Sequence, residues 1–390
     1  MKLPTTYYDA VIKRDPAIID FVSKDIAELE RKGPFGSTDD FSKYFKEYFH
    51  YIASEFAKDI VDRLHRIGIT NENEIDQHLH EFEKSPEFRN FHYSKHSDYL
   101  MLINFENFGK KTFHINHNLV ENLYQTNLDV DSDLLQLPFE TCLFVYNSKV
   151  AIQAFYSFQK EAIEIDFSTP LSIFAYSLPA EEGKRKILFA CWHANDKRNY
   201  SFVKRELLIR EGWNIEKTLQ TDWEDIYSGG NSQLQNNIDH SPENDGDNLF
   251  YEDGLMFFRI LVNTILYISS SEPMLTEVQS QHAILLKKMH SLRAKTKKRK
   301  IKNKLKKISK LDFTEVGGNT QPIVIEKNSK DDALGKNKTD RILGKRFIVR
   351  GHWRQQPCGI MLSGRKLIWI KPYYKGPEMA DLVTKPYLVK

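Results

Sequence analysis

Apolar side chains recur at three- and four-residue steps through residues 37–67, among them Phe41, Tyr44, Phe45, Tyr48, Ile52, Phe56 and Leu64. That spacing draws one stripe along an α-helix and predicts a single long amphipathic element. Ser37 or Thr38 suits its start, Asp39 and Asp40 suit the positive N-terminal end, and Gly68 suits the stop. An aromatic stripe at this period is core rather than a cofactor box. A shorter helix follows over 72–83, with Ile75, Leu79 and Phe82 inward.

The pattern then shortens. Strand-like runs at Tyr99–Ile103 and Thr112–Ile115 precede a helical Leu119–Tyr124. Beyond Leu137-Pro138 the chain turns β-rich, with strands expected at Phe139–Tyr146, Ala162–Phe167, Leu171–Tyr176, Lys186–Trp192 and Ser201–Ile209. Consecutive runs with short connections predict a mostly antiparallel sheet. Residues 228–248, rich in Gly, Asn, Ser and Asp, bury nothing and read as a flexible surface insertion. Gly254–Ser270 is apolar on nearly every face and predicts a helix at the centre of a core. Its run is shorter than the ~20 residues that span a bilayer and contains Arg259, so no membrane partner is expected. Pro273 breaks it, and a further helix is expected over Thr276–Leu292.

The expected class is α+β: a helical N-terminal region (1–130), a central mostly antiparallel sheet with apolar core helices (131–292), a basic tether or linker (293–340), and a small C-terminal β-hairpin module (341–390). The hairpin is predicted from two β-rich runs, Arg346–Arg354 and Arg365–Pro377, joined through a turn containing Gly359.

Charge sharpens this division. Residues 287–390 carry 28 Lys/Arg against 8 Asp/Glu, a net of +20, whereas residues 1–286 carry 28 against 45, a net of −17. Thirteen cations fall between Lys287 and Lys310 without one acid, including Lys297, Lys298, Arg299 and Lys300. A like-charged block of this kind reads as an extended or loosely helical tether whose repulsion eases on a phosphate backbone. Three scattered cysteines and no leader-like N-terminal segment favour a reducing, cytoplasmic setting.

Several chemistries drop out. Asp129, Asp131, Asp133 and Glu140 have calcium-loop spacing, but Leu134 stands where that loop needs glycine and Pro138 precedes the glutamate. The pairs His78/His80, His92/His96 and His114/His117 lack a further ligand at motif spacing. No Walker loop, dinucleotide fingerprint or nucleophile elbow occurs. No metal or cofactor is therefore expected.

The hairpin is where chemistry converges. Arg350, Arg354, Arg365, Lys366 and Lys371 can hold phosphate oxygens, and Trp353, Trp369, Tyr373 and Tyr374 can stack on bases. His352 is the one group there that titrates near neutral pH. With a neighbouring cation it forms the minimum set for metal-independent RNA cleavage, although such enzymes pair two acid/base groups. Binding of RNA, cleavage of RNA through His352, and non-specific DNA association by the tether all remain open on these residues.

The string Arg350-Gly351-His352-Trp353, followed by Gly359 and by basic residues before Trp369 and Pro372, resembles the C-terminal signature of a family in phages and plasmids, the one that includes the second type V-A anti-CRISPR protein. Two further anchors are similar: Leu137-Pro138 leading into Phe139–Tyr146, and Asn263-Thr-Ile-Leu-Tyr267 leading into Glu272-Pro273. The resemblance implies a regulator that recognises the nascent N-terminus of a target protein during translation, after which the encoding message is lost. It further implies RNA or ribosome and a nascent or target polypeptide as partners.

Overall fold

A computed structural model describes residues 6–14, 16–32, 38–107, 109–157, 165–178, 184–195, 199–227, 246–292, 295–305, 311–323 and 347–375. The chain divides into two compact units, residues 5–111 and residues 112–390, the latter grouped with the first four.

The N-terminal unit is helical: α1 (Tyr7–Arg14), α2 (Ile18–Lys32), α3 (Thr38–Arg66), α4 (Glu72–Glu83) and α5 (Pro86–Asn107). The long stripe and the shorter helix thus form as α3 and α4, with Asn71 capping α4 through the Asn73 amide. Tyr48 of α3 stacks on Tyr99 of α5 with ring centroids 5.3 Å apart, and the buried Tyr99 hydroxyl donates to Asp25. Burial and the neighbouring carboxylate push the Tyr99 hydroxyl far above the ordinary tyrosine range. The expected strand Tyr99–Ile103 is instead the last turns of α5. A short run buried on every side has no period that separates strand from helix, and here Tyr99, Met101, Leu102 and Ile103 are all buried.

The second unit is built on a seven-stranded mixed sheet in the order β5-β4-β3-β2-β1-β7-β6. Its strands are β1 (Thr112–Ile115), β2 (Thr141–Tyr146), β3 (Leu171–Leu178), β4 (Lys184–Asn195), β5 (Asn199–Arg210), β6 (Leu275–Val278) and β7 (Phe313–Val316). β2 to β5 form the antiparallel meander expected from their spacing. β1 runs parallel to both β2 and β7. The helices α6 (His117–Tyr124), α7 (Lys149–Ser157), α8 (Ile215–Tyr227) and α9 (Gly246–Ser269) complete this part of the unit, and residues of all four enter its hydrophobic core. α9 is the centre of that core, its residues Phe257, Ile260, Val262, Ile265 and Leu266 fully enclosed. α10 (Gln281–Ser291) and α11 (Lys295–Leu305) form the excursion between β6 and β7.

Three expectations change here. Thr276–Val278 is strand, and the helix begins only at Gln281, where Ser280 caps it through the Ala283 amide. Residues 165–167 of the expected Ala162–Phe167 strand are loop; the rest of that run, and 228–245 of the insertion, lie outside the described residues. Within 312–340, Phe313–Val316 is a strand between β1 and β6. Four residues give the period little to act on, and the cationic stretch before them hides the alternation. Gly317 ends β7 with φ +72°, and a Cβ there would come within 2.7 Å of the Leu119 side chain.

The C-terminal segment is one long hairpin broken into two ladders. β9 (His352–Cys358) pairs with β10 (Gly364–Ile370), and β8 (Phe347–Val349) pairs with β11 (Tyr373–Lys375). The break falls at Gly351 and Pro372, where proline has no N–H to give the ladder.

Candidate nucleic-acid interface

The register of β9 on β10 sorts the hairpin into two faces, because residues directly opposite share a face. Trp353 lies across from Trp369, and Gln355 across from Leu367. These point to the body. His352 lies across from Ile370, Arg354 from Ile368, and Gln356 from Lys366, on the other face.

The inward face is docked through a polar hub. Trp353, only 6% exposed, donates its indole N–H to Asn263 Oδ1 at 2.7 Å. Asn263, wholly buried in α9, gives its Nδ2 hydrogens to the carbonyls of Leu123 (3.2 Å) and Thr126 (3.1 Å) at the end of α6. Trp369 Nε1 donates to Thr126 Oγ1 at 3.2 Å, and its ring meets Tyr267 edge-on at 5.3 Å. Asn263 and Tyr267 are one helical turn apart, so a single face of α9 grips both tryptophans.

Gly351 closes the dock. It exchanges backbone bonds with Gln125 and Asn127, and a Cβ there would lie 2.5 Å from Thr126 Oγ1, 2.9 Å from Pro372 Cδ and 3.0 Å from the Ile370 carbonyl. Arg350 donates to Asn127 Oδ1 at 3.3 Å. Gln355 donates to Asp131. Lys366 pairs with Glu272 at 3.1 Å, while Ser271 holds the Leu367 carbonyl through both its amide and its hydroxyl. Two of the stretches singled out in the sequence, Asn263–Glu272 and Arg350–Trp353, therefore meet at one dock.

This placement revises the expected roles. Trp353 is an internal anchor, since a ring sealed in the core offers no face to a base. Trp369 is half-buried with its N–H committed, Arg350 and Lys366 hold the hairpin to the body, and Tyr373 is half-buried in β11 beside Val349. Arg365 is exposed and folds onto the turn, donating to the carbonyls of Leu362 (3.2 Å) and Gly364 (3.3 Å). His352, Arg354 and Lys371 remain exposed. His352 faces outward across from Ile370, and among the described residues the register brings no second acid/base group beside it. At the turn itself Ile360, Met361 and Leu362 are 88%, 96% and 62% exposed, with Met361 and Leu362 at φ 55° and 59°.

The second cationic group is α11. Lys297, Lys298, Arg299, Lys300, Lys302 and Lys304 are all exposed, and only Ile301 and Leu305 turn partly inward. The block expected as a tether is, over 295–305, a helix leading into β7. Across Phe347–Lys375 there are six Lys/Arg and no Asp/Glu.

The acidic triplet before β2 has local work. Asp129 accepts from Asn214 at 2.8 Å, Asp131 from Gln355, and Asp133 sits 4.0 Å from Arg185. Among the described residues no three His, Cys, Asp or Glu side chains gather as a metal site, and no helix is long and apolar enough to cross a membrane. Asn263 is the residue whose role sequence reasoning missed. Its signal is a lone amide inside an otherwise apolar helix, since a buried amide must find partners.

Compared with known proteins, residues 113–374 match the family model described as AcrVA2-like, the anti-CRISPR type V subtype A2 family. No curated protein and no solved structure matches the chain.

Proposed function

Because the chain belongs to the anti-CRISPR type V subtype A2 family, we propose that it is a mobile-element regulator that lowers expression of a target protein, engaging the nascent or finished target polypeptide and contacting RNA or the ribosome through its cations. The observation that carries the contact is the segregation of exposed charge. α11 presents six cations, and the outward side and tip of the hairpin present Arg354, Arg365 and Lys371, within stretches that hold no acid. A surface of this kind binds phosphate backbones without reading sequence, and each neutralised phosphate releases counterions. His352 adds a polar, stackable group to that surface.

The docking geometry decides how this is tested. Removing the hairpin would strip Trp353 from the core, so truncation would report unfolding rather than lost contact. Charge neutralisation is the cleaner perturbation. The full chain and two variants, Arg354/Arg365/Lys371→Gln and Lys297/Lys298/Arg299/Lys300→Gln, are sedimented through a polysome gradient. The expected result is co-migration of the wild type with ribosomes, lost in one or both variants while their circular dichroism stays unchanged. A wild-type chain that remains at the top of the gradient would sink the reading.

A further inference from the structure

The two edges of the seven-stranded sheet are treated differently. At the β5 edge the outward amide of Leu208 donates to Asp222 Oδ2 at 2.7 Å, and Asp222 is itself fixed by Arg210 at 2.7 Å. A carboxylate laid along an edge blocks a further strand. Among the described residues β6, the opposite edge, has no such cover.

The β6 register shows which backbone groups are open. The Gly317 amide donates to the Met274 carbonyl at 2.8 Å, making 274/317 a hydrogen-bonded pair. Alternation along an antiparallel ladder then turns the amides and carbonyls of Thr276 and Val278 toward β7 and those of Leu275 and Glu277 away from it. Among the described residues nothing pairs with these four outward groups. Met274 and Leu275 are 41% and 43% exposed, and Thr276 and Glu277 are exposed as well. Among the described residues β6 is thus an uncovered edge, with two large apolar side chains exposed.

We propose that β6 is a dimerisation edge, pairing antiparallel with β6 of a second copy about a two-fold axis at Thr276. The occupant follows from self-complementarity. With the axis at Thr276, Leu275 lies opposite the partner's Glu277 and each such pair exchanges two hydrogen bonds. All four outward groups of each copy are satisfied. Met274 lies opposite the partner's Val278, apolar against apolar, and Thr276 faces the partner's Thr276, a favourable cross-strand pair. Neighbouring registers fail. An axis at Leu275 sets Glu277 opposite Pro273, which has no N–H, and an axis at Glu277 sets two carboxylates face to face. Such a contact is isologous and closes at two copies. α10 leaves β6 at its C-terminal end, so the antiparallel seam places the two basic α11 helices at opposite ends of the joint.

The test uses the full chain in sedimentation velocity across the micromolar range. The expected result is a reversible monomer–dimer equilibrium. Leu275→Pro and Glu277→Pro each remove an outward N–H without touching the β7 ladder and should raise the dimer dissociation constant at least tenfold. Thr276→Lys, an exposed change that the monomer tolerates, sets two ammonium groups at the axis. It should weaken the dimer more at low salt than at high.

Register is checked by cross-linking in a Cys358→Ser background. Thr276→Cys should form an intermolecular disulfide, because directly opposite non-hydrogen-bonded residues lie about 4.5 Å apart at Cα. Glu277→Cys should not, since its counterpart is displaced by two residues along the strand. A chain that stays monomeric throughout, a dimer indifferent to both Leu275→Pro and Thr276→Lys, or equal cross-linking at 276 and 277 would each overturn the proposal.

Discussion

Replacing Asn263 by leucine, nearly its equal in volume, tests the account of how the hairpin is held. The side chain is fully buried and makes three hydrogen bonds, one from the Trp353 indole and two to the carbonyls of Leu123 and Thr126. In Asn263→Leu the Leu123 carbonyl keeps the Thr126 amide as a partner, so it is not orphaned. The Trp353 N–H and the Thr126 carbonyl are. Each buried orphan costs about 1–3 kcal/mol, so the substitution should cost about 2–6 kcal/mol. That is a large share of the 5–15 kcal/mol typical of a whole domain.

Because the chain has two units, a local readout is preferable to one global midpoint. Hydrogen exchange at the Gly351 and Asn127 amides, which join the hairpin to α6, should accelerate by about 30-fold or more, while amides of α1 to α5 stay unchanged. Trp353→Phe removes the donor together with part of the buried indole ring. If the two groups act through each other, the double variant should lose less than the sum of the singles, with a coupling of roughly 1 kcal/mol or more. Additive losses, or an Asn263→Leu variant whose Gly351 amide remains as protected as wild type, would refute the hub.

Gly351→Ala should be nearly as damaging as Asn263→Leu, since its methyl meets Thr126, Pro372 and the Ile370 carbonyl within 3.0 Å; the same amide exchange would show it. His114 gives a pH dependence. Burial lowers its pKa from 6.5 to about 4, with its ring stacked 3.8 Å from Phe313. The unfolded chain therefore binds a proton that the folded chain refuses: stability is full above pH 6.5, falls as pH drops toward 4, and levels below that. The total is about 3 kcal/mol, read as a urea midpoint that His114→Phe should partly flatten. His193, lowered chiefly by burial, steepens the same fall. Converting Lys297, Lys298, Arg299 and Lys300 to glutamine should reduce the slope of log K against log salt for single-stranded RNA by up to about 3, measured by fluorescence anisotropy. His352→Ala, which leaves the cations in place, should shift RNA affinity less than Arg354/Arg365/Lys371→Gln.

Legibility in the sequence followed the strength of local signals. α3 and α4 carry long stripes with capping residues, and β2 to β5 are runs rich in β-branched and aromatic residues, so these elements lie close to where the pattern puts them. β7 and the parallel pairing of β1 have no local mark, because their partners are far along the chain. Tyr99–Ile103 misleads for the opposite reason, its apolar run being enclosed within a helix bundle. At the hairpin, residue types and strand positions were readable, but facing was not. Trp353 and His352 are neighbours in sequence and point to opposite sides, and only the register on β10 and the presence of Asn263 decide which side is the core.

The placement of β7 also sets a timetable for folding. β1 must wait for a strand about 200 residues later before its second side is paired, and such distant contacts slow folding. The helical unit of residues 5–111 can collapse as soon as it is made, whereas the sheet stays open between β1 and β6 until residue 316 exists. The core then lacks its Trp353 plug until the hairpin arrives. A chain lost midway through synthesis therefore exposes a half-paired, strongly apolar sheet, and the hairpin of residues 347–375 serves the molecule as the step that ends its exposure to aggregation.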